Sequence, residues 1–415
     1  MTKKSNPAKS DRTDAMIQYV LFAILVFATP FVVVSKFLQG AVNTISHLKV
    51  TVLGMQLPIV GAVAILFLIA LGVWQRKHFN LRRIMALGVV LVMITFGQWV
   101  QDLYGGMTWY DLQSNWHYVA YCAYVFFFFR AFHKRGMAPN RMILYTFLTA
   151  FLISLGDEYF QLHMTNRVFD ISDQAKDLWG VMMGLILIFF VTETYGTIKL
   201  SKKRLWHRTL KEYFEDPLSA LIVCGMFAFV MMIISPLLTH SEYLMIFSGL
   251  TIVAFIILFT IWHFLQFKVF RLAFIIIVAL KITVLSVVVI TSDVPISSNP
   301  ERSGWVKFRG IPVPYFDMLI YPNGMPRLVD KKHHFNKQDQ LFMRKQQADI
   351  LLIASGHKGN GGRGFSKSEG TYFTFNEWSK KGMQVIVLPT PQACEVYNRL
   401  ISEGKKVLFI IHNTC

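Results

Sequence analysis

The sequence predicts a polytopic α-helical membrane bundle of about nine helices, followed by a small α/β domain. Three observations carry this reading. Of 415 residues, 54% are hydrophobic and only 16% are charged, where a soluble domain averages about 25% charged. Apolar runs long enough to cross a bilayer recur through roughly the first 290 residues. Beyond about residue 292 the prolines, glycines and charges rise, and short apolar runs alternate with turn signals.

A transmembrane helix needs about 20 mostly apolar residues. Nine stretches qualify: 16–38, 52–74, 84–101, 116–132, 142–161, 177–194, 217–238, 243–265 and 272–291. The first follows Lys3, Lys4, Lys9 and Arg12 and is too long for a signal-peptide core, so it reads as an anchor. The fifth is cleanly apolar only over 142–155. To span, it must draw Asp157, Glu158 and Gln161 into the outer part of the bilayer. The sixth is short in the same way and draws in Asp177 and Asp173. The seventh to ninth carry few polar groups, and Lys281 interrupts the last. Packing and anchoring are their expected work.

The formal net charge is +18. The basic residues fall in alternate short loops: Arg76, Lys77, Arg82 and Arg83; then Arg130, Lys134, Arg135 and Arg141; then Lys199 to Lys211; then Lys268 and Arg271. Such loops are cytoplasmic. That places the N-terminus inside, the 157–177 hairpin outside, and the whole in the cell inner membrane. An odd helix count puts the C-terminal domain outside too. The same distribution argues against nucleic acid as a partner. The four cysteines, Cys122, Cys224, Cys394 and Cys415, form no CxxC pair, so there is no zinc or disulfide framework; no cofactor is expected, and a divalent metal on Asp157, Glu158 and Asp177 is only a variant of the catalytic reading below, since nothing in the spacing specifies one.

Charge drawn into a membrane is costly and marks a functional site. The catalytic candidates are Asp157, Glu158 and His117; the binding candidates are Gln161, Arg167, Asp170, Asp173 and Asp177. Asp157 and Gln161 share a helix face, as do Asp173 and Asp177. Asp170 or Asp173 can cap the sixth helix. His117 opens the fourth segment, while Gln98 and Gln101 close the third. Four helix ends are thus expected to offer polar groups to one outer pocket, with Arg167 neutralising acids or gripping an anion. Three readings stand open: charges paired only to lock the bundle, a binding site for a lipid or lipid-linked head group, or acid–base catalysis on such a molecule.

The ordered set His117-Tyr118-Val119-Ala120-Tyr121, Asp157-Glu158-Tyr159-Phe160-Gln161, Arg167-Val168-Phe169-Asp170, Asp173 and Asp177-Leu178-Trp179-Gly180 resembles the VanZ-like membrane family over about residues 85–195. Asp177 stands where that family often has Asn, and Thr165-Asn166 where it often has Pro-Gly. The resemblance implies an envelope function, with a link to teicoplanin-type glycopeptide tolerance. The expected organisation is 1–84 N-terminal membrane helices, 85–197 VanZ-like domain, 216–291 three further helices, 292–305 linker and 306–415 C-terminal domain.

In that last domain, strands are expected at 348–354, 384–388 and 406–411, and helices at 377–381 and 391–403. Gly359 to Gly364 matches the glycine spacing of a dinucleotide loop, but no convincing helix follows. Cys394 falls in a first helical turn, where a thiolate can be stabilised. His333 and His334 read as solvated. The stretch Ile320-Tyr321-Pro322-Asn323-Gly324, then Ala348 to Gly356, then Thr390 to Leu400, then Glu403 to Val407 is similar to the small α/β domain of the mitochondrial complex I assembly factor three family. That likeness implies a scaffold role with a protein partner for this domain.

Overall fold

The computed structural model describes residues 7–33, 44–45, 48–52, 55–59, 63, 80–101, 112–163, 169–200, 205–292, 294–299, 304–364 and 370–413. The chain divides into a helical unit, taking most of residues 1–263, and a second unit dominated by residues 264–415.

The helical unit begins with α1 (Pro7–Val33) and a hairpin of β1 (Lys49–Val52) and β2 (Met55–Pro58), paired antiparallel. A helix was expected from residue 52. Gly54 and Pro58 disfavour one, while Val50, Thr51 and Val52 favour extended chain. Most of the remaining stretch to 74 lies outside the described residues. Then come α2 (Leu81–Gln101), α3 (Leu112–His133), α4 (Pro139–Gln161) and α5 (Ile171–Ile186). A π-helical turn, Leu187–Thr192, prolongs α5. The short α6 (Leu210–Glu215), α7 (Pro217–Ile234) and α8 (Leu244–Phe264) complete the unit.

Among the described residues, six helical spans are long and apolar enough to cross a membrane: Leu81–Gln101, Pro139–Gln161, Ile171–Thr192, Pro217–Leu237, Ser241–Phe264 and Lys268–Thr291. The last contains α9 (Lys268–Thr291), on whose exposed surface Lys281 lies. The described residues thus support six of the nine expected spans; α1 and α3 are long helices too, and most of the second expected span lies outside the described residues.

α5 is the centre of the helical unit: 78% of its span is buried, against 22% for α2. Two glycines one turn apart permit this. A methyl group on Gly180 would lie 2.9 Å from the Tyr118 carbonyl oxygen, and one on Gly184 would lie 2.9 Å from that of Cys122. Small residues at this spacing let two membrane helices approach backbone to backbone. α3 therefore lies directly on α5, and this contact sets the site geometry. At the far end of α5 the chain turns at Glu193 (φ 55°). Arg82 and Arg83 pair with its carboxylate at 3.3 and 3.6 Å.

The second unit carries β3 (Ile296–Ser298), β4 (Trp305–Phe308) and β5 (Ile311–Pro314), which form a small antiparallel sheet. Ser297 and Ser298, expected in a linker, pair with Lys307 and Val306. A six-stranded sheet follows, built from β6 (Asp317–Ile320), β7 (Pro326–Val329), β8 (Ile350–Ser355), β9 (Gly370–Asn376), β10 (Lys381–Leu388) and β11 (Val407–His412). Its order is β7-β6-β11-β8-β10-β9, with β8 parallel to both β10 and β11. Helix α10 (Lys337–Arg344) contributes Met343 to the core on one face. Helix α11 (Thr390–Ser402) contributes Ala393, Tyr397 and Leu400 on the other. Burial on both faces is why β8 and β11 read as unbroken apolar runs.

The expected helix at 377–381 is instead the turn between β9 and β10. The Asn376 side chain accepts from the backbone N–H groups of Trp378 and Ser379, both at 2.9 Å, and Lys380 adopts φ 57°. This side-chain turn competes with helix formation. The alternation Thr371-Tyr372-Phe373-Thr374-Phe375 is the strand signal that accompanies it.

Candidate functional site: acids gathered at the helix ends

The start of α3, the end of α4 and the start of α5 meet at one end of the helical unit. Asp170 caps α5, its carboxylate accepting from the Ser172 N–H at 2.8 Å. One turn on, Asp173 accepts from the Lys176 ammonium at 2.7 Å. Asp177 lies one further turn in and is 2% exposed. His117 Nδ1 meets Asp177 Oδ1 at 2.8 Å, while its Nε2 lies 3.5 Å from Asp173 Oδ2. The other Asp177 oxygen accepts from the Ser154 hydroxyl at 2.6 Å. One carboxylate thus ties α3, α4 and α5 together.

A second group lies beside it. Glu158 is buried and accepts from the Gln161 side-chain amide at 2.8 Å and from the Asp170 N–H at 3.0 Å. Asp157 is buried in the same turn of α4. The buried Tyr121 side chain lies on α3 one turn after His117.

The structure therefore brings Asp157, Glu158, His117, Gln161, Asp170, Asp173 and Asp177 to one end of the bundle. Arg167 lies outside the described residues. Two expected contributors point elsewhere. Gln98 donates to Asn115 at 2.6 Å, and Gln101 contacts Met232 and Ser235 on α7. Two functional side chains escaped sequence reasoning. Lys176 is the site's base on α5, and its position three residues after Asp173 was the available signal. Ser154 is an ordinary helix serine until tertiary structure sets it opposite Asp177. Among the described residues no three His, Cys, Asp or Glu side chains are arranged to hold a metal ion.

The VanZ/LLP1 family model matches residues 5–192, which contain every member of this acid cluster. This part of the chain is similar to that family. The match begins well before residue 85, so the VanZ-like region takes in α1 and the β1–β2 hairpin as well. Together with the apolar spans it makes the chain a multi-pass membrane protein. A search of curated proteins finds no match. A solved structure titled "MT938" is similar at 23% identity, over 28% of this chain and 94% of that chain, with a TM-score of 0.21. A likeness that low carries no argument about fold, and the resemblance to a complex I assembly factor remains an expectation.

Cys394 is buried, and burial pushes its thiol up to about 12, the opposite of an activated thiolate. The described chain after the Gly359–Gly364 loop resumes as strand β9, in line with the expectation that no helix follows it; among the described residues no helix N-terminus stands there to bind phosphate.

Proposed function

We propose that the VanZ-like part binds the head group of a lipid or lipid-linked envelope molecule at the extracytoplasmic end of the bundle. One observation carries this reading. Asp157, Glu158, Asp170, Asp173 and Asp177 converge there, and the described bases among them are His117 and Lys176. Carboxylates gathered inside a membrane mark a functional site and accept from hydrogen-bond donors. A head group rich in hydroxyl or ammonium groups supplies them, in preference to an anion gripped by Arg167. Gln161, Asp170, Asp173 and Asp177 are the binding residues on this reading. The charge rule puts the site on the outer side of the inner membrane. The consequence for the cell is envelope integrity or tolerance of teicoplanin-type glycopeptides.

Catalysis on such a molecule is the second reading. The His117 ring held between two carboxylates favours it, because that arrangement orients a proton-transfer group. Asp157→Asn and Glu158→Gln, each in the full chain, test both readings. Binding predicts loss of retained lipid in native mass spectrometry and loss of glycopeptide tolerance. Catalysis predicts retained lipid with lost turnover. If both variants keep full function while deletion of residues 300–415 abolishes it, the chain acts as a scaffold through its C-terminal domain and this proposal is wrong.

A further inference from the structure

The six-stranded sheet of the second unit ends in two unlike edges, β7 on one side and β9 on the other. β7 is four residues long and carries Pro326 and Arg327. Proline and charge are the usual means of stopping a further strand from adding to an edge. β9 runs for seven residues with neither a charge nor a proline. Among the described residues it pairs only with β10. Its outer N–H and C=O groups therefore form a row open to another strand.

The side chains of β9 repeat this openness. Tyr372 packs on the core shared with α10, so its neighbours Phe373 and Phe375 take the opposite face. α11 covers that face over β6, β8 and β11, and the core beneath it includes no residue of β9. Opposite Phe375 on β10 stands Gly382, which brings no side chain to shield it. Phe373 and Phe375 are consequently 72% and 53% exposed, and Trp378 just beyond the strand is 57% exposed. The edge is nevertheless held in shape. The Asn376 amide pins its end by donating to the carbonyl oxygens of Gln346 at 2.9 Å and Ala348 at 3.2 Å. A strand fixed in advance loses little freedom on binding.

A bilayer does not suit this edge, because open backbone N–H and C=O groups find no partners in hydrocarbon. A second strand satisfies them. The uncharged β9 has nothing to repel a copy of itself. The three aromatic side chains leave roughly 400 Å² uncovered, about half of the roughly 800 Å² that each partner gives to a stable interface; the backbone edge adds to it. α9 is long and apolar enough to cross a membrane, and it ends at Thr291, shortly before β3 begins at Ile296. That tether keeps the second units of neighbouring copies in one thin layer, which raises their effective concentration. We propose that two copies of this chain pair β9 with β9, antiparallel about a two-fold axis, joining two six-stranded sheets into one. An axis at Phe373 sets that ring against its own copy, and an axis at Thr374 sets each Phe373 against a Phe375. Either register gives cross-strand aromatic pairs, which stabilise a sheet. The pairing closes at two, since it uses both open edges and β7 is blocked.

Sedimentation velocity of the full chain in detergent micelles, at micromolar concentration, tests this. The wild type is expected as a dimer. Phe373→Lys, which puts a charge into the paired face, is expected to weaken the dimer at least tenfold. Met325→Lys, just before the blocked β7, is exposed too and is expected to leave it unchanged. Should Phe373→Lys fail to fold, cross-linking decides. In a Cys415→Ser background, copper-catalysed oxidation is expected to link two copies through Phe373→Cys or through Thr374→Cys, and not through Met325→Cys. A monomeric wild type, a dimer that survives Phe373→Lys, an open-ended assembly, or no link through either strand position overturns the proposal. Labelling of residues 370–376 by a lipid-borne diazirine in a monomeric wild type would give the edge to the bilayer surface instead, and overturns it as well.

Discussion

Replacing Gly180 by alanine sets a methyl carbon 2.9 Å from the Tyr118 carbonyl oxygen, 3.0 Å from its Cα and 3.1 Å from the His117 carbonyl oxygen. All three are backbone atoms, so no side chain can swing aside. An ordinary contact needs about 3.4 Å or more, so α3 and α5 must part by several tenths of an ångström. The strain falls where His117 meets Asp177 at 2.8 Å. Overpacking of this kind costs about 1–3 kcal/mol. Alanine also favours a helix over glycine by about 1 kcal/mol, which would mask part of the loss. Gly88 on α2 supplies the control, since a methyl group there has nothing within 4 Å. The propensity gain is common to both variants, so their difference isolates the clash. Gly180→Ala is expected to be less stable than Gly88→Ala by about 1–3 kcal/mol, measured by unfolding of the purified chain in mixed micelles. Equal stability of the two variants would refute the close-packed α3–α5 contact and the site geometry built on it.

Two further outcomes are expected. Cys394, with its thiol near 12, should resist iodoacetamide at pH 8 in the folded chain and react after denaturation, with roughly a thousandfold fewer thiolates in the folded state; equal labelling in both states would contradict its burial. The Glu212 carboxyl is held below its usual 4.5 by the Arg208 N–H and the Thr209 hydroxyl, which both donate to it. A lowered carboxyl stabilises the start of α6 above pH 4.5, and that contribution is lost as pH falls through the folded value. The protection factor for hydrogen exchange at Arg208, taken against the intrinsic rate at each pH, should therefore fall on acidification in the wild type, and Glu212→Gln should remove that dependence.

Local chemistry makes much of this protein legible in its sequence. Apolar run length marks the membrane spans, because every backbone polar group in a bilayer must be satisfied internally. The shortness of two of those runs marks Asp157, Glu158, Asp173 and Asp177, since a helix must reach across whatever it carries. Pro391 near the start of α11 and Gly404 beyond its end bound that helix by capping rules alone. Where local signals conflict, reading fails: Gly54 and Pro58 outweigh the apolar character at the start of the second stretch, where residues 55–58 are strand, and Asn376 turns an expected helix into a hairpin.

Partnership is decided only by tertiary structure. Ser154 and Asp177 stand 23 residues apart and His117 and Asp177 stand 60 apart, while Asp317 and His412, hydrogen-bonded in the second unit, are separated by 95. Nothing in the local sequence encodes such pairings, because a hydrogen bond depends on distances of a few tenths of an ångström that helix crossings and strand register set. Composition and periodicity choose the elements; the close approach allowed by Gly180 and Gly184 chooses which of their side chains meet.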